Sequence, residues 1–108
     1  MSFVKITRPR PQVALVTLDR PERMNAMAFD VMVPLREALE ELSFDNSVRV
    51  VVLTGAGDGF CSGADLVGRP FAPPTSEAQR ELNNRIGFER VISLVRGINE
   101  APMPVVCA

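Results

Sequence analysis

The side chains that this chain lacks limit the chemistry it can perform. Its 108 residues include no histidine, tryptophan or tyrosine. Without histidine, neither a Ser-His-Asp triad nor a Cys-His dyad can form, so acid-base chemistry must use Asp, Glu, Lys or backbone dipoles. Cys61 and Cys107 do not form a Cys-x-x-Cys pair. They predict no zinc site, and we interpret both as reduced thiols that are buried or half-buried.

The segment 60–66, Phe-Cys-Ser-Gly-Ala-Asp-Leu, is the part of the chain best suited to binding a ligand through the backbone. Its small side chains allow a ligand to approach the main chain closely. Asp65 can cap a short following helix, and the N–H groups just past a cap can donate to a developing oxyanion. From the residues alone, a plain loop with a helix cap is the alternative interpretation.

A glycine-rich stretch directly precedes this segment. A dinucleotide-binding turn requires a further glycine three residues after Gly57, and Phe60 stands there instead. The P-loop pattern with its lysine is also absent. We therefore exclude both kinds of phosphate loop. We predict a tight turn with positive φ at Gly55, Gly57 and Gly59.

Short apolar segments, of which only 3–7 alternates weakly, predict the strands that position these loops. The predicted strands are 3–7, 13–18, 48–54 and 104–108. We expect the first two to pair antiparallel, with the first at the sheet edge, because Arg-Pro-Arg-Pro at 8–11 breaks the pattern. The β-branched run 48–54 is typical of a parallel strand covered on both faces. The order β-β-α-β-loop-α-β predicts an α/β fold with parallel crossovers.

Two stripes of apolar residues predict the helices. The first stripe is Val31, Met32, Leu35, Leu39 and Leu42, and the second is Leu82, Ile86, Val91, Ile92, Val95 and Ile98. Pro34 is tolerated if the first helix begins near Asp30 or Val31, and otherwise it kinks the helix. Ser76 and Gln79 fit a capping box at the start of the second helix, which ends by Pro102 at the latest.

The length and overall composition favour one small globular domain with a net charge close to zero. The formal net charge is −1 and 23% of residues are charged, which gives no electrostatic signature of nucleic-acid binding. No apolar run reaches the roughly 18 residues that a membrane span needs. The N-terminal residues lack a signal-peptide pattern, so we expect a cytoplasmic protein with no nucleic-acid or membrane partner.

Four segments, in order along nearly the whole chain, resemble the enoyl-CoA hydratase/isomerase (crotonase) superfamily. Segment 60–66 resembles the F-[CS]-[SA]-G-[AG]-D-[LI] signature, and 18–27 resembles L-N-R-P-x-x-x-N-A-[LM]. Segment 48–55 resembles the strand before the signature, and 102–108 resembles the K-P-V-I-A-A strand after the second helix. The resemblance implies a crotonase-type ββα spiral, of which residues 1–108 form only the N-terminal portion of a single domain. We therefore expect the chain to be truncated.

The resemblance also implies a substrate, an acyl-CoA thioester, and no separate cofactor, because coenzyme A is part of that substrate. The backbone N–H of Ala64 then supplies one of two donors to the thioester oxygen. The residues implied to line the substrate are Arg23, Asn25, Ala26, Ser62, Gly63, Asp65 and Leu66. The second donor and the acid-base glutamates of the family lie beyond Ala108. Family members assemble as trimers or dimers of trimers.

Several activities remain open at this point. Hydration of a 2-trans-enoyl-CoA to a 3-hydroxyacyl-CoA is the most frequent in the family, and isomerisation, hydrolysis and decarboxylation are alternatives. A naturally short, non-catalytic module that binds CoA or a partner chain is a further alternative. We interpret the glutamates of the predicted helices as solvated and not catalytic. These are Glu37, Glu40, Glu41, Glu77, Glu81, Glu89 and Glu100.

The N-terminal part of the chain is rich in cations. Five of the twelve lie within the first 23 residues, namely Lys5, Arg8, Arg10, Arg20 and Arg23. They are suited to contacting the CoA phosphates, and a solvated basic edge is the alternative. Asp19 and Glu22 depart from the family pattern, which commonly has Asn and Lys there. Arg23 is a candidate to replace the contact of that lysine.

Overall fold

The computed structural model describes residues 2–63 and 75–108. The elements follow the predicted order. They are β1 (Val4–Arg10), β2 (Val13–Leu18), a 3₁₀ turn (Pro21–Arg23), α1 (Phe29–Ser43), β3 (Val50–Gly55), α2 (Glu77–Asn99) and β4 (Val105–Cys107). The described helices include none with the length and apolar character needed to cross a membrane.

The four strands form one sheet in the order β1-β2-β3-β4. β1 pairs antiparallel with β2, whereas β2–β3 and β3–β4 are parallel. In the register, Val13 lies opposite Val50 and Leu18 opposite Gly55. The carboxyl ends of β2 and β3 therefore meet at one edge, so the loops that follow them are neighbours. This arrangement confirms both the predicted pairing and the α/β class.

β1 is longer than predicted. It continues through Arg8 and Pro9 to Arg10, with a register shift between Thr7 and Arg10. An edge strand tolerates proline because one side of its backbone needs no ladder partner, and a bulge accommodates the extra residue. The expectation that Arg-Pro-Arg-Pro ends the strand was wrong, while the position of β1 at the edge is confirmed.

The core lies between α1 and one face of the sheet. All five residues of the first predicted stripe are buried in it, together with alternate residues of the strands such as Val16 and Val51. Leu35 and Leu39 are each 1% exposed. Burial of each such side chain contributes about 1.5–3 kcal/mol relative to exposure. α1 is therefore fixed to the sheet by its apolar stripe, as predicted.

Pro34 lies inside α1, beyond the first turn. The helix begins at Phe29, after the extended residue Ala28. Pro34 has no N–H, so one backbone hydrogen bond of the helix is absent at that position. The acidic side chain of Asp30 lies in the first turn, where it complements the helix dipole.

The burial predictions for β3 and for α2 were wrong. β3 is covered on one face only in the described part of the chain, because Val51 and Leu53 are buried whereas Val50 and Val52 are half-buried. In α2 the predicted stripe is largely exposed. Leu82 is 52% and Val95 52% exposed, and the buried residue of this helix is Leu94, which the periodicity did not select.

The capping prediction for α2 was right in its main contact. Ser76 Oγ accepts the N–H of Gln79 at 3.1 Å, which satisfies one free donor of the first turn. The Gln79 side chain accepts from the backbone N–H of Thr75 at 2.8 Å, one residue earlier than the capping-box pattern requires. α2 ends at Asn99, before Pro102, as expected.

Candidate functional site

The loop after β2, residues 19–27, is folded tightly by its own backbone. A 3₁₀ turn is followed by two consecutive residues in the left-handed region, Met24 and Asn25, each with φ 53°. The N–H of Asn25 donates to Arg20 O, and that of Ala26 to Arg23 O, both at 3.0 Å. Asparagine tolerates this conformation better than most residues, whereas methionine at such a φ is strained.

Asn25 is the only buried polar side chain among the described residues, with no exposed surface. Its Oδ1 accepts the backbone N–H of Arg20 at 2.8 Å. Its Nδ2 donates to Ala56 O and to Gly59 O, both at 3.0 Å. The carboxamide therefore joins the loop after β2 to the turn after β3. The side-chain oxygen and nitrogen are thus bonded to backbone groups of the chain itself. The predicted contact between Asn25 and the substrate would therefore have to use the backbone of Asn25.

Two glycines of this turn are required by their surroundings, for different reasons. A Cβ on Gly55 would lie 2.7 Å from Asn25 Nδ2 and 2.7 Å from Gly59 O, so the carboxamide needs this space. Gly57 has φ +82°, and its Cβ would lie 2.8 Å from Pro21 Cβ. The prediction of positive φ is confirmed at Gly57. It was wrong at Gly55 and Gly59, where φ is not positive.

The segment that ends at Gly63 is hydrogen-bonded to loop 19–27. The N–H of Ser62 donates to Met24 O at 3.0 Å, and that of Met27 donates to Gly63 O at 2.6 Å. Ser62 and Gly63 are exposed, and Ala26 between these bonds is 8% exposed. The structure thus brings Asn25, Ala26, Ser62 and Gly63 together.

Three predicted site residues, Ala64, Asp65 and Leu66, lie outside the described residues. Gly63 itself has φ +111°, a conformation that favours glycine, and its N–H donates to Cys61 Sγ at 3.4 Å. Cys61 is half-buried, as predicted, whereas Cys107 is exposed on the short strand β4 and that prediction was wrong.

Lys5, Arg8 and Arg20 are each paired with a carboxylate of the chain. Lys5 Nζ lies 2.7 Å from Asp19 Oδ2, and Arg8 contacts Asp45. Arg20 lies 3.0 Å from Asp30 Oδ2, and its guanidinium stacks 4.5 Å above the ring of Phe3.

The side chain of Arg20 is only 14% exposed. A guanidinium that is neutralised and stacked in this way supports the loop and is poorly placed to bind phosphate. Arg23, which is half-buried within the same loop, remains the predicted phosphate contact.

The acidic turn between α1 and β3 is separate from this site. Hydrogen bonds from the Ser47 hydroxyl and the Ser47 backbone N–H, with a further bond from Arg8, lower the pKa of Asp45 from 3.8 to about 2. The carboxylate is therefore ionised at neutral pH, and its bonds to Ser47 and Arg8 fix the turn before β3. In the described ranges, histidine, cysteine and acidic residues form no cluster of three that could hold a metal ion.

A groove of about 530 Å³ between α1 and α2 also lies away from the two loops. Its lining includes two cations, Arg36 and Arg96, and two carboxylates, Glu89 and Glu100. No predicted site residue lines it. The two loops, and not this groove, are therefore the candidate functional site.

Comparison with known proteins decides the family. The model of the enoyl-CoA hydratase/isomerase family matches residues 9–108. The chain belongs to this family. The enoyl-CoA hydratase/isomerase match includes both loops of the candidate site. The resemblance inferred from four short segments is thereby confirmed.

Individual members of the enoyl-CoA hydratase/isomerase family agree with this assignment. A probable enoyl-CoA hydratase, echA12 of Mycobacterium bovis, is 48% identical over 108 residues, which are 100% of this chain and 38% of that protein. A probable enoyl-CoA hydratase/isomerase from Mycobacterium abscessus is 45% identical with a TM-score of 0.79, covering 98% of this chain and 38% of that one. The chain spans about 38% of the length of these relatives.

A third member has a different activity in its name. The structure of a monofunctional enoyl CoA isomerase from Mycobacterium smegmatis has a TM-score of 0.73 and 45% identity, covering 99% of this chain and 40% of that one. The crotonase fold predicted from the sequence is confirmed by these neighbours. The sequence analysis missed the inward-facing carboxamide of Asn25, because its partners at Ala56 and Gly59 lie more than 30 residues further along the chain.

Proposed function

We propose that the full-length protein is an acyl-CoA enzyme whose reaction is the syn hydration of a 2-trans-enoyl-CoA to a 3-hydroxyacyl-CoA. The M. bovis relative supports this activity, because a probable enoyl-CoA hydratase is 48% identical across the whole chain. The structural observation that carries the proposal is the pair of backbone hydrogen bonds between loop 19–27 and residues 62–63. They support a backbone-lined site beside Ser62 and Gly63, with little side-chain chemistry of its own.

In the proposed reaction, the backbone N–H of Ala64 donates to the thioester oxygen as negative charge develops on it. Water adds its hydroxyl to C3 and a proton goes to C2, so the double bond is consumed and no other product leaves. The helical glutamates are exposed. We therefore assign the proton transfers to carboxylates of the longer protein, together with the second oxyanion donor.

The same proposal assigns the remaining contacts to the substrate. Arg23 contacts a CoA phosphate, and the backbones of Asn25, Ala26, Ser62 and Gly63 line the nucleotide and pantetheine, followed in sequence by Asp65 and Leu66. No separate cofactor takes part. We further propose a cytoplasmic enzyme of fatty acid metabolism that assembles as a trimer or dimer of trimers, with residues 1–108 as the N-terminal part of one domain. Sedimentation of the full-length protein tests the assembly.

Isomerisation of the double bond is the second candidate. It is favoured by the 45% identity to the monofunctional enoyl CoA isomerase of M. smegmatis. Both reactions use a stabilised thioester enolate and differ in the carboxylates that move the proton. Assays with a 2-trans-enoyl-CoA and a 3-enoyl-CoA, each followed by product mass, separate them because hydration adds the mass of one water and isomerisation adds none.

The decisive experiment substitutes Ala64 in the full-length protein. Ala64→Pro removes the backbone N–H, and we expect kcat to fall by about 10²–10³-fold. Ala64→Gly keeps the N–H and is the matched control, with activity near wild type. Circular dichroism and calorimetric CoA binding verify that both variants fold. Equal activity of the two variants refutes the role of Ala64, and a wild type that turns over neither substrate refutes the enzyme and leaves a CoA-binding module.

A further inference from the structure

The carboxamide of Asn25 connects the loop after β2 to the turn after β3. One oxygen and one nitrogen make three hydrogen bonds, to Arg20 N, Ala56 O and Gly59 O. A buried amide without partners carries a large desolvation cost, and here every bond is made to backbone. The side chain therefore holds the main chain of the loop after β2 and that of the turn after β3 at a fixed separation.

The surroundings of Asn25 are built to admit this amide. Gly55 leaves the space that Nδ2 occupies, since a Cβ there would lie 2.7 Å from that atom. The left-handed backbone of Asn25, φ 53°, turns its side chain away from the loop surface and into the protein. Aspartate has no N–H to donate, and glutamine is one methylene longer, so neither reproduces the three contacts.

One of the three contacts, to Gly59 O, acts directly on the segment that presents the backbone of the candidate site. Gly59 O is held by Asn25 Nδ2, and the chain then passes through Ser62 and Gly63, each bonded to loop 19–27. This segment immediately precedes Ala64 in the sequence. We propose that Asn25 is a positioning residue: its carboxamide sets where residues 59–63 present their backbone to the substrate, without touching the substrate itself. The inference rests on the proposed function.

The test uses three variants of the full-length protein, assayed with crotonyl-CoA and with a 3-enoyl-CoA. Asn25→Asp keeps the oxygen acceptor and the tolerance for a left-handed backbone, but it places an acceptor against Ala56 O and Gly59 O. Asn25→Gly keeps the backbone conformation and removes the side chain. Leu42→Ala is the control, because it opens the core under α1 at a residue that is 2% exposed and far in the chain from both loops.

We expect kcat to fall by about 10²-fold in both Asn25 variants, because a displaced donor no longer meets the transition state. We expect KM and the calorimetric affinity for CoA to weaken by a much smaller factor than kcat falls, because the contacts of residues 62–63 to CoA are made in both states whereas the oxyanion contact is used only in the transition state. Leu42→Ala should lower the melting temperature by about as much as the Asn25 variants do. Below its melting temperature, its kcat should equal that of the wild type.

The possible outcomes are distinguishable. If the wild type is active and the Asn25 variants keep its kcat, the positioning role is overturned and the proposed function stays intact. The same conclusion holds if the Asn25 variants lose activity only in proportion to the fraction of unfolded protein. A wild type inactive on both substrates overturns the proposed function and the positioning role together. Faster amide hydrogen exchange at 59–63 in the Asn25 variants, with α1 unchanged, is the expected structural counterpart, and unchanged exchange there also contradicts the inference.

Discussion

A methyl group added at Gly55 should destabilise the protein far more than the same group added at Gly59. The Cβ at Gly55 would meet Asn25 Nδ2 and Gly59 O, each at 2.7 Å, and Phe60 O still closer. Two of these three atoms are backbone and the third is a buried amide, so none can move at little cost. Overpacking costs about 1–3 kcal/mol, and a displaced, unsatisfied buried amide adds about 1–3 kcal/mol. We therefore expect Gly55→Ala to lose about 2–6 kcal/mol.

Gly59→Ala is the matched control from the same turn. Its Cβ meets nothing within 4 Å, and its φ is not positive. Lower entropy of the unfolded chain then makes the change neutral or stabilising by up to about 1 kcal/mol. Urea unfolding of the full-length wild type and of both variants, at one protein concentration, measures the difference. Equal midpoints for Gly55→Ala and Gly59→Ala would refute the packing argument, and a loss at Gly59 alone would reverse it.

Two further predictions concern residues at the surface. Met24→Gly should raise the melting temperature, because Met24 has φ 53° and its side chain is 62% exposed. Relief of backbone strain contributes about 1–2 kcal/mol, which exceeds the cost of about 0.5–1 kcal/mol from the greater entropy of the unfolded chain. A lower melting temperature contradicts this prediction. The folded pKa of Asp45 is depressed, so its stabilising effect is present above the unfolded pKa of 3.8 and is lost as pH falls to about 2. Asp45→Asn should therefore be less stable than wild type at pH 6, and the gap should close between pH 4 and 2; a gap that is constant with pH sinks the assignment.

Local patterns predicted the framework of the fold because single elements determine it. The stripe of α1, the antiparallel start, the parallel strands and the Ser76 cap each depend on residues close in sequence. Pro9 misled the prediction of β1, since proline excludes a strand only where its missing N–H is needed, and the edge does not need it. The second helix shows a different limit of sequence patterns. Periodicity selects an apolar face of α2, but it does not indicate which part of the protein, if any, covers that face.

The candidate site was predicted in part. Its small-residue segment and its partner loop were identified from their resemblance to a family, and the structure brings Asn25 and Ala26 beside Ser62 and Gly63. What the sequence could not supply is the direction of a side chain. Asn25 faces inward because of its left-handed backbone and because of the space at Gly55, which is 30 positions further along the chain.

The hydrogen bonds of Asn25 and of the neighbouring Ala26 N–H also bear on the chemical deamidation of Asn25. Deamidation begins when the backbone nitrogen of Ala26 attacks the side-chain carbonyl carbon of Asn25, expelling ammonia and forming a cyclic imide that hydrolyses to an acid. Here the Ala26 N–H is held by Arg23 O at 3.0 Å, and the carboxamide is fully buried with both its atoms engaged. A folded molecule is thus protected, whereas an unfolded one is not. If Asn25 deamidates while the chain is unfolded, the refolded protein places a carboxylate against the carbonyl oxygens of Ala56 and Gly59, where the amide had donated.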